Sequence, residues 1–247
     1  MRGHAAALLL AALAVVACVA PPKTITAVPA RPLRAATPDE VLSAYEAYAH
    51  DSRTLSASGD LEVRDLRAGR ARKLGVRLVA SRGGKLYLKG SIAVVTALEV
   101  VADGERFWFQ VPSRKTVWTG KSGAGHRAEG DNAPYYALRP SDVNSALLPE
   151  PLLPGARDAV VFEADPESFS IALAPQGGRE VGGEVISEAR LGGWQAGAPR
   201  RIQIDRPAEG YEAVLDLDEV ERNVPVPEQA FVPRTPRDYK VEEISEP

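Results

Sequence analysis

Asp103-Gly104-Glu105-Arg106-Phe107-Trp108-Phe109-Gln110-Val111-Pro112 reads as a turn, a strand and a stop. Asp-Gly is a hairpin signal, because both residues tolerate the positive φ that a tight turn needs. Phe107, Phe109 and Val111 alternate with Trp108 and Gln110, so one face of the strand is wholly apolar. Pro112 has no N–H to give to a ladder and ends the element.

The same period of two runs outward in both directions. Upstream, Leu61 and Val63 alternate with Glu62 and Arg64, Leu74, Val76 and Leu78 with Lys73, Gly75 and Arg77, and Leu86 and Leu88 flank Tyr87. Arg82-Gly83-Gly84 and Pro112-Ser113-Arg114 supply turns, the second leading into a strand at Lys115–Thr119. Downstream, the pattern returns at Val160 and Phe162, at Phe169, Ile171 and Leu173, at Val185, Ala189 and Leu191, at Ile202 and Ile204, and at Tyr211, Ala213, Leu215 and Leu217. These half-buried segments amount to about eleven antiparallel strands, and twisted open sheets rarely stay flat beyond about ten. The fold class is therefore mainly β with helical additions (α+β), in a sheet that must curl or close.

Two segments keep a helical period instead. Thr37-Pro38-Asp39-Glu40 combines a threonine cap, proline at the first helical position and a glutamate three residues after the cap. The helix should run to about His50, with Val41, Leu42, Tyr45 and Tyr48 as its apolar stripe. From Gly120 to Pro140 no period holds, and the stretch reads as a loop. Ser141-Asp142 then caps a short helix through about Leu148 that carries Val143, Ala146, Leu147 and Leu148 and is closed by Pro149, Pro151 and Pro154. Val224–Pro236 is extended and punctuated by proline, and the polar tail, 237–247, is expected to be mobile.

The N-terminus carries Arg2 and then a small, apolar run from Ala5 to Ala17, ending at Val15-Val16-Ala17-Cys18. Spanning a bilayer takes roughly 20 apolar residues, whereas a signal h-region needs about 7–15, and this run has the second length. An ordinary secretory signal has no use for a thiol at the cut. Val-Val-Ala-Cys resembles the lipobox of bacterial lipoproteins, with Val15 departing from the usual leucine. That resemblance implies a signal peptide at 1–17, cleavage before Cys18, and lipid on the Cys18 sulfur; the bland alternative is a plain secreted chain with an incidental cysteine. Dual or triple acylation would anchor it stably. Residues 18–36, with Pro21, Pro22, Pro29 and Pro32, form a tether, which at about 3.1 Å per residue reaches roughly 50 Å. Val19 after Cys18 leaves out the aspartate that retains some lipoproteins at the inner membrane, so the expected place is the periplasmic face of the outer membrane.

The single cysteine excludes a disulfide or a thiolate metal site in the exported domain. With 33 acidic and 30 basic residues the net charge is −3, which speaks against a nucleic-acid partner. After processing, only His50 and His126 remain as histidines. There is no Gly-x-Ser-x-Gly elbow, no His-x-x-x-His and no phosphate-binding glycine loop after a strand. His126 with Glu129 and Asp131 reads as a solvated cluster rather than a metal site, and Asp216 with Asp218 as exposed surface. No enzyme, cofactor or metal is expected.

Taken in order, lipobox, tether, amphipathic helix, meander, helical insert, meander and a Pro-x-x-x-Phe ending (Val226-Pro227-Glu228-Gln229-Ala230-Phe231) resemble the LolA and LolB superfamily of periplasmic lipoprotein carriers and receptors. The Asp103–Pro112 strand pair is the most specific local match, and the resemblance covers 37–236. It implies a strongly curved, unclosed antiparallel β-barrel whose helices plug the mouth and whose interior holds acyl chains of a lipid or lipoprotein, for transport or insertion at the outer membrane. The residues that would line such a cavity are Leu61 and Val63, Val76 and Leu78, Leu86 and Leu88, Phe107 and Phe109, Phe169 and Ile171, and Leu215 and Leu217. Val41, Leu42, Tyr45, Val143 and Leu147 would face it from the lid. Each of these reads first as ordinary core, since a strand face does not reveal whether a cavity lies behind it. Lys121, His126 and Arg127 are candidates for a head group, and Trp108, Trp118 and Trp194 for the outer surface or rim. The rival reading is an envelope scaffold that docks other envelope proteins through its sheet edge or proline-rich segment and holds no lipid.

Overall fold

The computed structural model describes residues 38–123, 138–152, 161–165, 168–173, 188–192, 198–207 and 209–244. Cys18, the signal segment, the tether, and His126 with its acidic neighbours lie outside these residues, as does Trp194. Helix α1 (Pro38–Asp51) comes first, with proline at its start. A meander follows: β1 (Thr54–Asp65), β2 (Arg70–Ser81), β3 (Lys85–Ile92), β4 (Val95–Asp103), β5 (Arg106–Val111) and β6 (Thr116–Lys121). Helix α2 (Pro140–Leu147) precedes β7 (Val161–Asp165), β8 (Ser168–Leu173), β9 (Glu188–Gly192), β10 (Arg201–Arg206), β11 (Tyr211–Arg222) and β12 (Lys240–Glu243).

All twelve described strands form one sheet in the order β12-β6-β5-β4-β3-β2-β1-β11-β10-β9-β8-β7. Every pairing is antiparallel except the last addition, β12 on β6, which is parallel. The two halves of the chain meet at the long β1–β11 ladder, where Leu61 pairs with Leu215 and Val63 with Ala213. β12 and β7 end the order, so the described sheet is unclosed. It is also strongly curved: α2 packs against β2, β3 and β4 on one side and β9 and β10 on the other, with β1 and β11 between them in the sheet.

The turns follow from their residues. Asp103 accepts hydrogen bonds at Oδ1 from the Glu105 and Arg106 amides at 2.9 and 2.8 Å, an Asx turn that reverses the chain into β5. Gly104 sits at φ 107°, and a Cβ there would lie 2.2 Å from the Gly83 carbonyl oxygen of the β2–β3 turn, so the two hairpin ends touch backbone to backbone. Gly59 marks a register shift in β1, where a Cβ would meet the Asp216 carbonyl oxygen of β11 at 2.0 Å.

Three sequence expectations change. The strand count rises from about eleven to twelve, because Lys240–Glu243, in the segment read as a mobile tail, adds a strand to the β6 edge. α2 starts one residue earlier than the Ser141 cap: Arg139 holds the cap position without a side-chain bond, and Pro140 opens the helix. Trp118 belongs to the core cluster and tilts against Phe109 at a ring distance of 6.3 Å, whereas the rim was expected. Its Nε1–H donates to Glu242 at 2.8 Å, so the partner that lets the indole bury comes from β12.

Candidate functional site

Strand register arranges the apolar residues into rows across the concave face. One row runs Ala57, Leu78, Leu88, Val100, Phe109, Trp118 through β1 to β6. The next runs Leu55, Ala80, Leu86, Ala102, Phe107, Gly120. Leu61, Val63, Val76, Leu215 and Leu217 carry the surface onward across the β1–β11 seam. Of the twelve residues expected on this face, the ten on β1, β2, β3, β5 and β11 are buried in one hydrophobic cluster. Phe169 and Ile171 are placed in β8 by backbone register, Ile171 opposite Leu191 of β9.

The helices cover this face. Leu42, Tyr45, Tyr48 and Ala49 of α1 are buried, as are Val143, Ala146 and Leu147 of α2. Val41 lies in α1. With both helices seated the ten sheet residues keep almost no accessible surface, so the helices lie down on the sheet rather than roofing an open chamber.

What fastens the helices is polar, and sequence reading missed it. The Tyr48 hydroxyl donates to the Leu147 carbonyl at 2.6 Å, and the Tyr45 hydroxyl to the Glu150 carbonyl at 2.6 Å. The tyrosines of α1 thus tie it to α2 and the segment after it: Leu147 is a C-terminal carbonyl of the kind a helix end leaves without an intrahelical partner, and Glu150 follows the helix. Burial, above all, pushes both phenols well above their ordinary value of 10.0.

Arg82, from the β2–β3 turn, works from the sheet side. Its Nε donates to the Ser52 carbonyl at 2.8 Å and its Nη2 to the carbonyls of Ala49 and Pro149, while Nη1 meets Glu150 Oε1 at 3.1 Å. One cation therefore satisfies carbonyls at the C-terminal ends of both helices, where a positive charge is favoured. Asn144 of α2 donates from Nδ2 to the carbonyls of Ser81 and Lys85 at 3.1 and 2.8 Å.

At its other end α2 is held by a second arginine. Arg206 Nε and Nη2 bind Asp142 Oδ2 and Oδ1 at 2.9 and 2.6 Å, and Arg139 binds Glu209 at 2.6 Å. Burial works to lower the Arg206 value, but the Asp142 carboxylate outweighs it and the guanidinium stays charged. No sequence motif marks these partners, since Asp142 and Arg206 meet only when α2 folds into the curve of the sheet.

The outer face of β3 to β6 is covered differently. After β11 the chain turns at Asn223, at φ 57°, and crosses back as an extended strap. A 3-10 turn at Glu228–Phe231 packs on β3 and β4, with Phe231 buried. Lys85–Glu228, Lys115–Asp238 and Arg106–Glu243 ion pairs hold the strap at 2.6, 2.8 and 2.8 Å. Elsewhere, Lys121 closes β6, and Asp216 and Asp218 stand on β11, Asp216 paired with Arg201 at 2.7 Å. Among the described residues no three of His, Cys, Asp and Glu gather as metal ligands, and no helix is long and apolar enough to cross a membrane.

No family model matches the sequence, and no curated protein matches it either. Solved structures with a similar chain path include a DUF1329 family protein from Desulfovibrio piger, at TM-score 0.45 and 11% identity over 78% of this chain and 95% of that one. An outer membrane lipoprotein-sorting protein domain from Vibrio parahaemolyticus matches at TM-score 0.42 and 11% identity over 79% of this chain and 97% of that one. The fold is similar, too, to that of a LolA superfamily protein from Nitrosomonas europaea, at TM-score 0.43 and 13% identity, over 81% of this chain and 99% of that one.

Proposed function

We propose that this protein is a non-catalytic, membrane-anchored lipoprotein of the periplasm. It shelters acyl chains of a lipid or lipoprotein between the curved sheet and its two helices, for transport or insertion at the outer membrane. Its partners on this reading are the membrane, through lipid on Cys18, and the acyl chains themselves; it needs no cofactor.

The observation that carries the reading is the construction of the lid. The wall behind α1 and α2 is apolar row after row, yet the helices are latched at their ends by Tyr45, Tyr48 and Arg82. These few polar bonds lie between the helices and the turn, not in the strand pairing, so the helices lift without breaking the sheet ladder. The apolar surface they uncover is then available to a hydrocarbon, at about 0.8 kcal/mol for each CH₂ it buries. The docking reading has less to use, because the proline-rich strap lies on the sheet and β12 occupies the β6 edge.

The test is uptake by the lipid-free chain 18–247, which contains every described element. A fluorescent fatty acid at micromolar concentration is expected to bind saturably, and phospholipid to copurify by mass spectrometry. A protein folded by circular dichroism that takes up neither refutes the proposal and leaves the docking module.

A further inference from the structure

The Arg206–Asp142 pair is poor glue. Taking both charges out of water costs about as much as their attraction returns, and well-packed apolar residues often do better. Arg206 is nevertheless only 9% exposed, at the end of β10 where α2 begins. Its Nη1 also reaches Glu209 Oε1 at 3.3 Å, the oxygen that Arg139 binds.

Around this network Arg139 Nε and Ser122 Oγ are buried with no hydrogen-bond partner, and the Tyr211 hydroxyl faces the Arg139 backbone amide and has no acceptor for its own proton. Ser122 belongs to the same place, because its carbonyl accepts from the Ser141 amide at 3.4 Å. Tyr211 is 1% exposed and part of the core cluster, and Asp142, Arg206 and Glu209 all act on its ionisation. Buried donors with no acceptor are costly and ask for an explanation.

A guanidinium fork matches a carboxylate or a phosphate in geometry and charge. Its present partner, Asp142, rides on the lid, whereas Arg206 and Tyr211 belong to the wall. When α2 lifts, the carboxylate leaves with it. Arg206 then stands at the rim of the apolar face, next to the Tyr211 hydroxyl, whose proton has no acceptor, and at the head of a strand whose Ala213, Leu215 and Leu217 line that face. A chain lying along the face would bring its polar end there.

We propose that Arg206 and Tyr211 form the subsite for the anionic end of the bound lipid, a carboxylate or phosphate, and that Asp142 occupies the fork in its place while the lid is shut. Head-group binding and release of α2 are then one exchange of carboxylate for ligand anion. This rests on the acyl-binding reading and adds to it a preference for charge.

The experiment compares a fluorescent fatty acid with its uncharged methyl ester on the lipid-free chain 18–247. The acid is expected to bind about ten-fold or more tightly, the range of charge-assisted hydrogen bonds. In the paired variant Arg206→Gln with Asp142→Asn, which leaves no lone buried charge, the two probes should come within about two-fold of each other. Tyr211→Phe should weaken the acid about three-fold or more while lowering the melting temperature little, since the hydroxyl donates to no acceptor in the closed protein. Inorganic phosphate at millimolar concentration should not displace the acid, because the site reads an anion attached to a chain. Equal binding of acid and ester by the unaltered protein, or displacement by free phosphate alone, overturns the subsite and leaves acyl binding standing. Failure to bind either probe overturns acyl binding itself.

Discussion

Replacing Tyr48 by Phe tests whether the helices are a lid or simply part of the core. The change keeps the ring, its burial and its approach to the Arg222 guanidinium, 5.7 Å from the ring centroid. It deletes one hydrogen bond, of 2.6 Å, and strands the Leu147 carbonyl in a buried place. A buried acceptor left alone costs about 1–3 kcal/mol. If α1 and α2 part from each other as they open against an intact sheet, that cost falls on the closed lid alone. It multiplies the open population by about 5 to 150, since about 1.4 kcal/mol is ten-fold. Native-state hydrogen exchange reads this residue by residue. The amides of Ala49 and of Val143–Leu147 should exchange faster by that factor, while those of Leu61, Leu78 and Leu88 stay within two-fold. Acceleration of helix and strand amides by the same factor would mean that they unfold together, and the lid mechanism would be wrong.

The same tyrosines give a pH prediction. Tyr45, Tyr48 and Tyr211 have folded-state values raised above 10.0, chiefly by burial. The stability they add is thus complete below pH 10 and lost as pH rises above it. An absorbance titration should show their ionisation only together with unfolding, and free titration of all seven tyrosines in a folded protein would contradict the burial. Gly59→Ala should force β1 from β11, because the new Cβ meets a backbone oxygen at 2.0 Å. A cost of about 3 kcal/mol, at the upper end for overpacking, lowers the melting temperature by roughly 6–12 °C, and a change under 2 °C would mean the seam adjusts freely. Truncation after Asn223 removes the strap, bares the β6 edge and uncovers the outer face at Val101 and Val117. Light scattering should then detect association at concentrations where the whole chain is monodisperse, and an unchanged signal would show the strap to be dispensable.

What the sequence alone determined here is what depends on neighbours along the chain. The period of two in Leu74-Gly75-Val76-Arg77-Leu78 and in Phe107-Trp108-Phe109 assigned strands and faces, because side chains on a pleated backbone alternate whatever the strand pairs with. Gly83-Gly84 and Asp103-Gly104 placed the reversals, because positive φ and Asx turns are local. The apolar stripe of Leu42, Tyr45 and Tyr48 likewise marked a helix that needed a face to cover. Only the tertiary structure decided what lay across distance. Lys240–Glu243 is polar and short and becomes a strand because the β6 edge offers it partners, including the Trp118 indole that this contact buries. Tyr45 and Tyr48 looked like apolar surface, yet their hydroxyls find carbonyls at and just beyond the end of α2, about a hundred residues later. Asp142 read as a helix cap, and it forms a buried pair with Arg206 only because the sheet curls round α2. Period and turn chemistry act over a few residues, whereas latches form between groups that no local pattern relates, so their partners emerge only once the chain is closed on itself.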